Sequence, residues 1–152
     1  MSKSRNSLLL LALTGCLSPK IGDMDSNDRV DQAADEVGAQ IATADSTARA
    51  HQFPYRLVIA PATRTMWISR RADDGSYEPM ERSRRQLHDD ITIDRVEGMT
   101  PGSDASWWLE FLPTGGVSRP LAIHLSDREG ARRRVELLPG EIRPRAVNPE
   151  DE

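Results

Sequence analysis

The chain has a single cysteine, Cys16, in 152 residues, so no intramolecular disulfide framework can hold it together. Aromatic residues make up only 5% of it, which leaves a modest core built mainly from aliphatic side chains. Lysine is almost absent, occurring only at Lys3 and Lys20, and basic residues are outnumbered 24 to 20 by acidic ones. With a net charge of -4, the chain lacks the concentrated cationic excess that phosphate neutralisation requires, which argues against a nucleic-acid binder. The longest greasy stretch runs from Leu8 to Leu17, about half of the roughly 20 residues needed to span a bilayer core as a helix. Multi-span membrane architectures are thereby excluded. A mean hydropathy of -0.56 and a 38% hydrophobic fraction fit one soluble domain of ordinary size.

What is present begins with the N-terminal order of features. Lys3 and Arg5 form a basic head, Leu8 to Leu13 a greasy stretch, and Thr14-Gly15 a small-residue site ahead of Cys16. This is the layout of an export signal. Leu13-Thr14-Gly15-Cys16 resembles the lipobox of bacterial lipoproteins, in which a dedicated peptidase cuts before the cysteine and the thiol carries the lipid. The resemblance implies a signal over residues 1–15, lipid attachment at Cys16, and a domain held at the cell envelope on its periplasmic side. Two other readings stay open: an ordinary signal peptide with an incidental cysteine, and a decayed pilin leader. Residues 16–27 are polar, carry Pro19 and Gly22, show no period and read as a tether.

From Asp28 to Ala50, Val30, Ala33, Ala34, Val37, Ile41, Ala44 and Ala48 recur at three- and four-residue steps, which predicts an amphipathic helix. Ser26 or Asn27 is positioned to cap it, early acids and the late Arg49 and His51 complement its dipole, and Pro54 ends it. The stripe is narrow and mostly alanine, so the helix should lie close against a sheet. Beyond Pro54 the apolar residues alternate, predicting strands. Tyr55, Leu57 and Ile59 share one face; Met66 to Ile68 returns after a turn at Pro61 to Arg64; Ile91 and Ile93 open another strand. Trp107, Leu109 and Phe111 line the core side of the next, leaving Trp108 outward beside Glu110. Leu121, Ile123 and Leu125 pair back through Val135 and Leu137, with a last short piece around Ile142. Residues 77–90 show no period and suit an excursion between sheets, and the acidic 148–152 reads as a frayed tail. The expectation is an α+β domain over 28–147, one N-terminal helix on six or so antiparallel strands.

Little in the sequence carries chemistry. His51, His88 and His124 are the only histidines, and no H-E-x-x-H, Cys-x-x-Cys, nucleophile-elbow or P-loop pattern occurs, so neither an enzyme nor a cofactor or metal is expected. His124 is out of phase with the core residues of its strand and reads as solvated, and His51 as a helix-end cation. Arg132-Arg133-Arg134, the one basic run, suits a solvated sheet edge that discourages stray pairing.

The order of elements carries one more signal. A helix tail Ala48-Arg49-Ala50, a strand Pro54-Tyr55-Arg56-Leu57-Val58-Ile59, and a corner Phe111-Leu112-Pro113-Thr114-Gly115-Gly116 before a last hairpin resemble the GspH/FimT type of minor pseudopilin. Coverage is about 28–147. The resemblance implies a pilin-like fold, no catalysis, and other pseudopilin or secretion-apparatus proteins as partners. The helix face and the corner, with Phe111, Pro113, Gly115 and Gly116, would be the surfaces offered to them; the outward Trp108 is a further candidate contact. The corner can equally be a tight loop with no partner, since proline and two glycines suffice to end and reverse a strand. One departure stands out. The family's leader is followed by a spanning helix with a glutamate near its start, whereas here no acid interrupts Leu8 to Leu13, so a pseudopilin-like domain carried on a lipid anchor is the account that fits both halves. An envelope lipoprotein using the fold for an unrelated ligand is the alternative.

Overall fold

Residues 25–141 and 143–149 are described by the structure, a computed structural model. Helix α1 covers Ser26–His51, extending the predicted helix by two residues at its start and one at its end. The inward stripe is the one the periodicity gives, with Val30, Val37, Ile41, Ala44 and Ala48 fully buried. The capping differs. Asp25 occupies the N-cap without a side-chain hydrogen bond, and the Ser26 hydroxyl donates instead to Asp127, a hundred residues further on. A tertiary acceptor has taken the group that local spacing assigned to the helix's own amides. At the other end Gln52 adopts the left-handed conformation and its N–H and that of Phe53 close on the last carbonyls of α1.

Ten strands are present among the described residues, not six. They are β1 (Tyr55–Ala60), β2 (Thr65–Arg71), β3 (Tyr77–Pro79), β4 (Arg85–Gln86), β5 (Ile91–Glu97), β6 (Thr100–Pro101), β7 (Trp107–Phe111), β8 (Leu121–Asp127), β9 (Arg132–Leu137) and β10 (Arg145–Val147). The extra four are two or three residues long, too short for a period of two to register. One sheet has the order β3-β2-β1-β7-β6, with β4 also on β2; the other runs β10-β9-β8-β5, and every pairing is antiparallel. Residues 77–90 do connect the two sheets, but β3 and β4 pair with β2 on the way. The last strand lies at Arg145–Val147; Ile142, where sequence placed it, is outside the described residues, as are the lipobox, most of the tether and 150–152.

The helix contacts both sheets and shares one core with them. Leu57, Ile59, Met66, Leu109 and Phe111 come from the first sheet, and Ile91, Ile123, Leu125, Val135 and Leu137 from the second. Each large aliphatic or aromatic side chain buried there contributes on the order of 1.5–3 kcal/mol. Small Ala33, Ala34, Ala44 and Ala48 let the helix axis approach both sheets closely.

Polar ties fix the start of α1 to the second sheet: Arg133 Nε lies 2.5 Å from Asp31 Oδ1, and Arg29 Nη1 lies 3.4 Å from Asp90 Oδ2. The arginine run is therefore not an edge. β9 is paired on both sides, by β8 and β10, and Arg133 reaches back to the helix.

Candidate functional site

Two neighbouring regions of β7 hold every described residue that the sequence singled out for partner contact. The first is the corner that follows the strand. Pro113 and the glycines turn the chain as expected, with φ of +82° at Gly115 and +77° at Gly116, and the Gly115 amide closes the turn on the Leu112 carbonyl at 2.8 Å. The corner rests on the last turns of α1. Asp45, buried on the helix's inner side, accepts the Gly116 N–H at 2.6 Å and pairs through its other oxygen with Arg49. A Cβ at Gly115 would lie 2.6 Å from Arg49 Cδ, so glycine is needed both for its φ and for this approach. Gln52 adds a long contact from Nε2 to the Pro113 carbonyl, 3.5 Å.

Phe111, expected among the contact residues, is fully buried and serves the core opposite Tyr55. Strand alternation already put it on the inner face with Leu109; the corner's outward hydrophobe is Leu112, 46% exposed. The β1–β7 register ends at Tyr55↔Phe111, so Leu112 and the 38%-exposed Phe53 flank the same end of the first sheet. Pro113, Gly115 and Gly116 are half-buried against the helix.

The second region surrounds Trp108, which faces outward as alternation requires while Trp107 packs against the core. The Arg56 guanidinium is sandwiched on the outer face of the sheet, 3.6 Å from the Tyr77 ring centre and 3.7 Å from that of Trp108. Tyr77 donates its hydroxyl to Glu110, and Arg56 Nε lies 3.4 Å from the same carboxylate, an ion pair without hydrogen-bond geometry. Burial, the hydrogen bond to Glu110 and that carboxylate's charge push the Tyr77 phenol above its ordinary value, against the opposing pull of Arg56. Trp108 is thus covered in part by its own sheet. Tyr77 belongs to a strand too short to read from sequence, so its arrival beside Arg56 had no signal there.

The histidines take separate places. His51 Nδ1 lies 2.6 Å from the Tyr55 hydroxyl. His124 is half-buried, not solvated, with Nε2 2.9 Å from Glu97 Oε1. His88 is exposed, and its neighbour Asp90 takes Arg128 at 3.0 Å. Among the described residues no three metal-ligating side chains gather at one point, and no helix is long and apolar enough to cross a membrane.

No protein-family model matches the sequence, and no curated protein is similar to it in sequence. Solved structures are similar in fold. The solution structure of GspH from E. coli superposes with a TM-score of 0.65 at 14% identity, over 86% of this chain and 96% of that one. The minor pseudopilin EpsH of the type 2 secretion system of Vibrio cholerae gives 0.64 at 16%, over 80% and 98%. The fold is that of a minor pseudopilin. The type IV minor pilin FimU of Pseudomonas aeruginosa shares it more loosely, with a TM-score of 0.59 at 15% identity over 80% and 94%. The minor-pseudopilin fold accounts for the segregated helix and the two antiparallel sheets. It also accounts for the order helix tail, first strand, corner and final hairpin that the sequence displays. At such identities the likeness is one of backbone architecture.

Proposed function

We propose that this protein is a non-enzymatic component of a cell-envelope secretion or pilus-assembly apparatus, working by protein–protein contact and held at the membrane by a lipid on Cys16. The observation that carries the reading is the fold likeness to GspH and EpsH across nearly the whole of those chains. Supporting it, the corner next to the end of α1 is rigidly held by Asp45 and presents Leu112, with Phe53 flanking the same end. A preorganised surface loses little entropy on binding. Partners would be other pseudopilins or apparatus subunits, contacted through the helix face, the 111–116 corner and the exposed part of Trp108.

Crosslinking in intact cells followed by purification tests this: secretion or pilus subunits should be recovered with the chain, and their absence rejects the apparatus role. Mass spectrometry of the mature N-terminus tests the anchor, which predicts a chain starting at a lipid-modified Cys16. A free N-terminus or an unmodified thiol rejects it. The second reading, an envelope lipoprotein that uses the fold for an unrelated ligand, is favoured by one feature: no acid interrupts Leu8 to Leu13 where the pseudopilin pattern has its glutamate. Recovery of the anchor without apparatus subunits would select it.

A further inference from the structure

The short turn Glu81–Ser83, between β3 and β4, is fixed on two sides. Toward β2, the Ile68 N–H donates to the Ser83 hydroxyl at 2.8 Å and the Met80 N–H to the Ile68 carbonyl at 2.8 Å; toward α1, Gln40 Nε2 donates to the Ser83 carbonyl at 2.6 Å. Between this turn and the helix lies a cavity of about 340 Å³, with Ala39, Ile68 and Met80 as its apolar wall. A wall held in this way needs little ordering when something binds.

The polar groups of the cavity are incompletely satisfied. Gln40 is more than nine-tenths buried, yet only its amino group is engaged; Oε1 has no hydrogen-bond partner among the described residues and stays open to the cavity. A buried amide oxygen needs a donor. Arg82 and Arg85 are exposed and line the cavity, and neither forms an ion pair among the described residues; Arg85 reaches only the carbonyls of Arg82 and Arg84, at 3.1 and 2.8 Å. The acids nearby are taken elsewhere. Glu36, in the wall, accepts Gln32 Nε2 at 3.2 Å, and Glu81 lies 3.5 Å from Arg84 Nε. The cavity thus offers an apolar surface, an acceptor for one N–H and two guanidiniums for an anion.

An apolar side chain, an amide N–H and a carboxylate coincide in one residue of a polypeptide, its last. We propose that this cavity captures the C-terminal residue of a partner protein, with the side chain on Ile68, Met80 and Ala39, the N–H on Gln40 Oε1 and the α-carboxylate between Arg82 and Arg85. An internal Asp or Glu fits less well. It supplies a carboxylate but no apolar group on the same residue, and so leaves the wall of Ile68 and Met80 unfilled. The cavity lies on the helix face assigned above to partner contact, and the inference rests on that reading for the existence of a partner but not for the chemistry of its end.

The test titrates the full chain against the peptide Gly-Ser-Gly-Ala-Leu, labelled with fluorescein at its N-terminus and free at its C-terminus, and reads fluorescence anisotropy. Saturable binding is expected. The same peptide closed as a C-terminal amide should bind about tenfold more weakly or worse, as should the free peptide to Arg82→Gln/Arg85→Gln, because each change removes charge-assisted hydrogen bonds. Ala39→Phe, a substitution at an exposed helix position, should fill the cavity and abolish binding, with an unchanged circular dichroism spectrum showing that the fold persists. Equal binding of acid and amide overturns the capture, and so does binding that survives Ala39→Phe or an absence of saturation up to about 1 mM peptide. The crosslinking experiment fails separately: peptide binding without recovery of apparatus subunits rejects the apparatus role alone, and recovery of those subunits without peptide binding rejects the capture alone.

Discussion

The Asp45 carboxylate accepts the Gly116 amide at 2.6 Å across a separation of 71 residues, and with its second oxygen it holds Arg49. One buried acid thus joins the end of the helix to the corner after β7, and the corner's shape depends on it. Replacing Asp45 by alanine leaves the Gly116 N–H without an acceptor and should cost about 2 kcal/mol. Asn, which keeps one acceptor oxygen, should cost less. Urea unfolding monitored by circular dichroism would read both, with the slope unchanged.

Gly115→Ala and Gly116→Ala separate backbone strain from crowding. Both residues have positive φ, but only at Gly115 does a Cβ meet another group, Arg49 Cδ at 2.6 Å. Gly116→Ala should cost roughly 1 kcal/mol of left-handed strain, and Gly115→Ala more than that. In a double-mutant cycle Arg49→Ala should recover part of the Gly115→Ala loss and none of the Gly116→Ala loss.

Neutralising Glu110 should lower the Tyr77 pKa. The phenol is held above its ordinary value first by burial and then by its hydrogen bond to a charged carboxylate; Glu110→Gln removes the charge and keeps an acceptor. Following the Tyr77 ζ-carbon resonance through alkaline pH should show its titration moving down in the variant. Equal titration of Tyr77 in both proteins would refute the pairing.

Asp127 gives the acid limb of stability a definite sign. Burial alone would raise its carboxyl, but hydrogen bonds from the Ser26 hydroxyl and from the backbone of Ala131 and Glu129 outweigh it and hold the group below its ordinary value. A depressed folded pKa stabilises the fold at pH above the unfolded value of about 3.9 and loses that contribution as pH falls through the folded one. Ser26→Ala removes one of those bonds, so the gap in unfolding free energy between native and variant should be widest near neutrality and narrow below about pH 4. A gap that is constant from pH 2 to 7 would contradict this origin.

Leu112→Asp distinguishes contact from packing at the corner. Leu112 is 46% exposed, so the substitution should leave stability within about 0.5 kcal/mol while abolishing crosslinks made through this surface. Phe111→Ala, by contrast, should cost about 3–5 kcal/mol, because that ring is wholly inside.

Much of this was legible along the chain because it is local. The 3.6-residue recurrence from Val30 to Ala48 has to make a helix with a buried alanine-rich face, and Tyr55-Leu57-Ile59, Leu109-Phe111 and Leu121-Ile123-Leu125 have to make half-buried strands. The turn residues at 61–64 and 113–116 had to reverse the chain. What failed to show was short or distant. β3, β4, β6 and β10 are below the length at which alternation is visible, and β3 carries Tyr77 to Arg56.

The sequence by itself determined the helix, the main strands, their inner faces and the lack of a recognisable catalytic motif, since these follow from periodicity and side-chain type. Only the tertiary structure decided where the polar groups go. Ser26 bonds Asp127 instead of capping its helix, Arg133 ties an interior strand to α1 instead of guarding an edge, and Asp45 fastens the corner that two glycines merely permit. The reason is physical: burial of apolar area is set by a residue's own neighbours in sequence and period, whereas a hydrogen bond or ion pair needs a specific partner within about 3 Å, and chain folding alone supplies it.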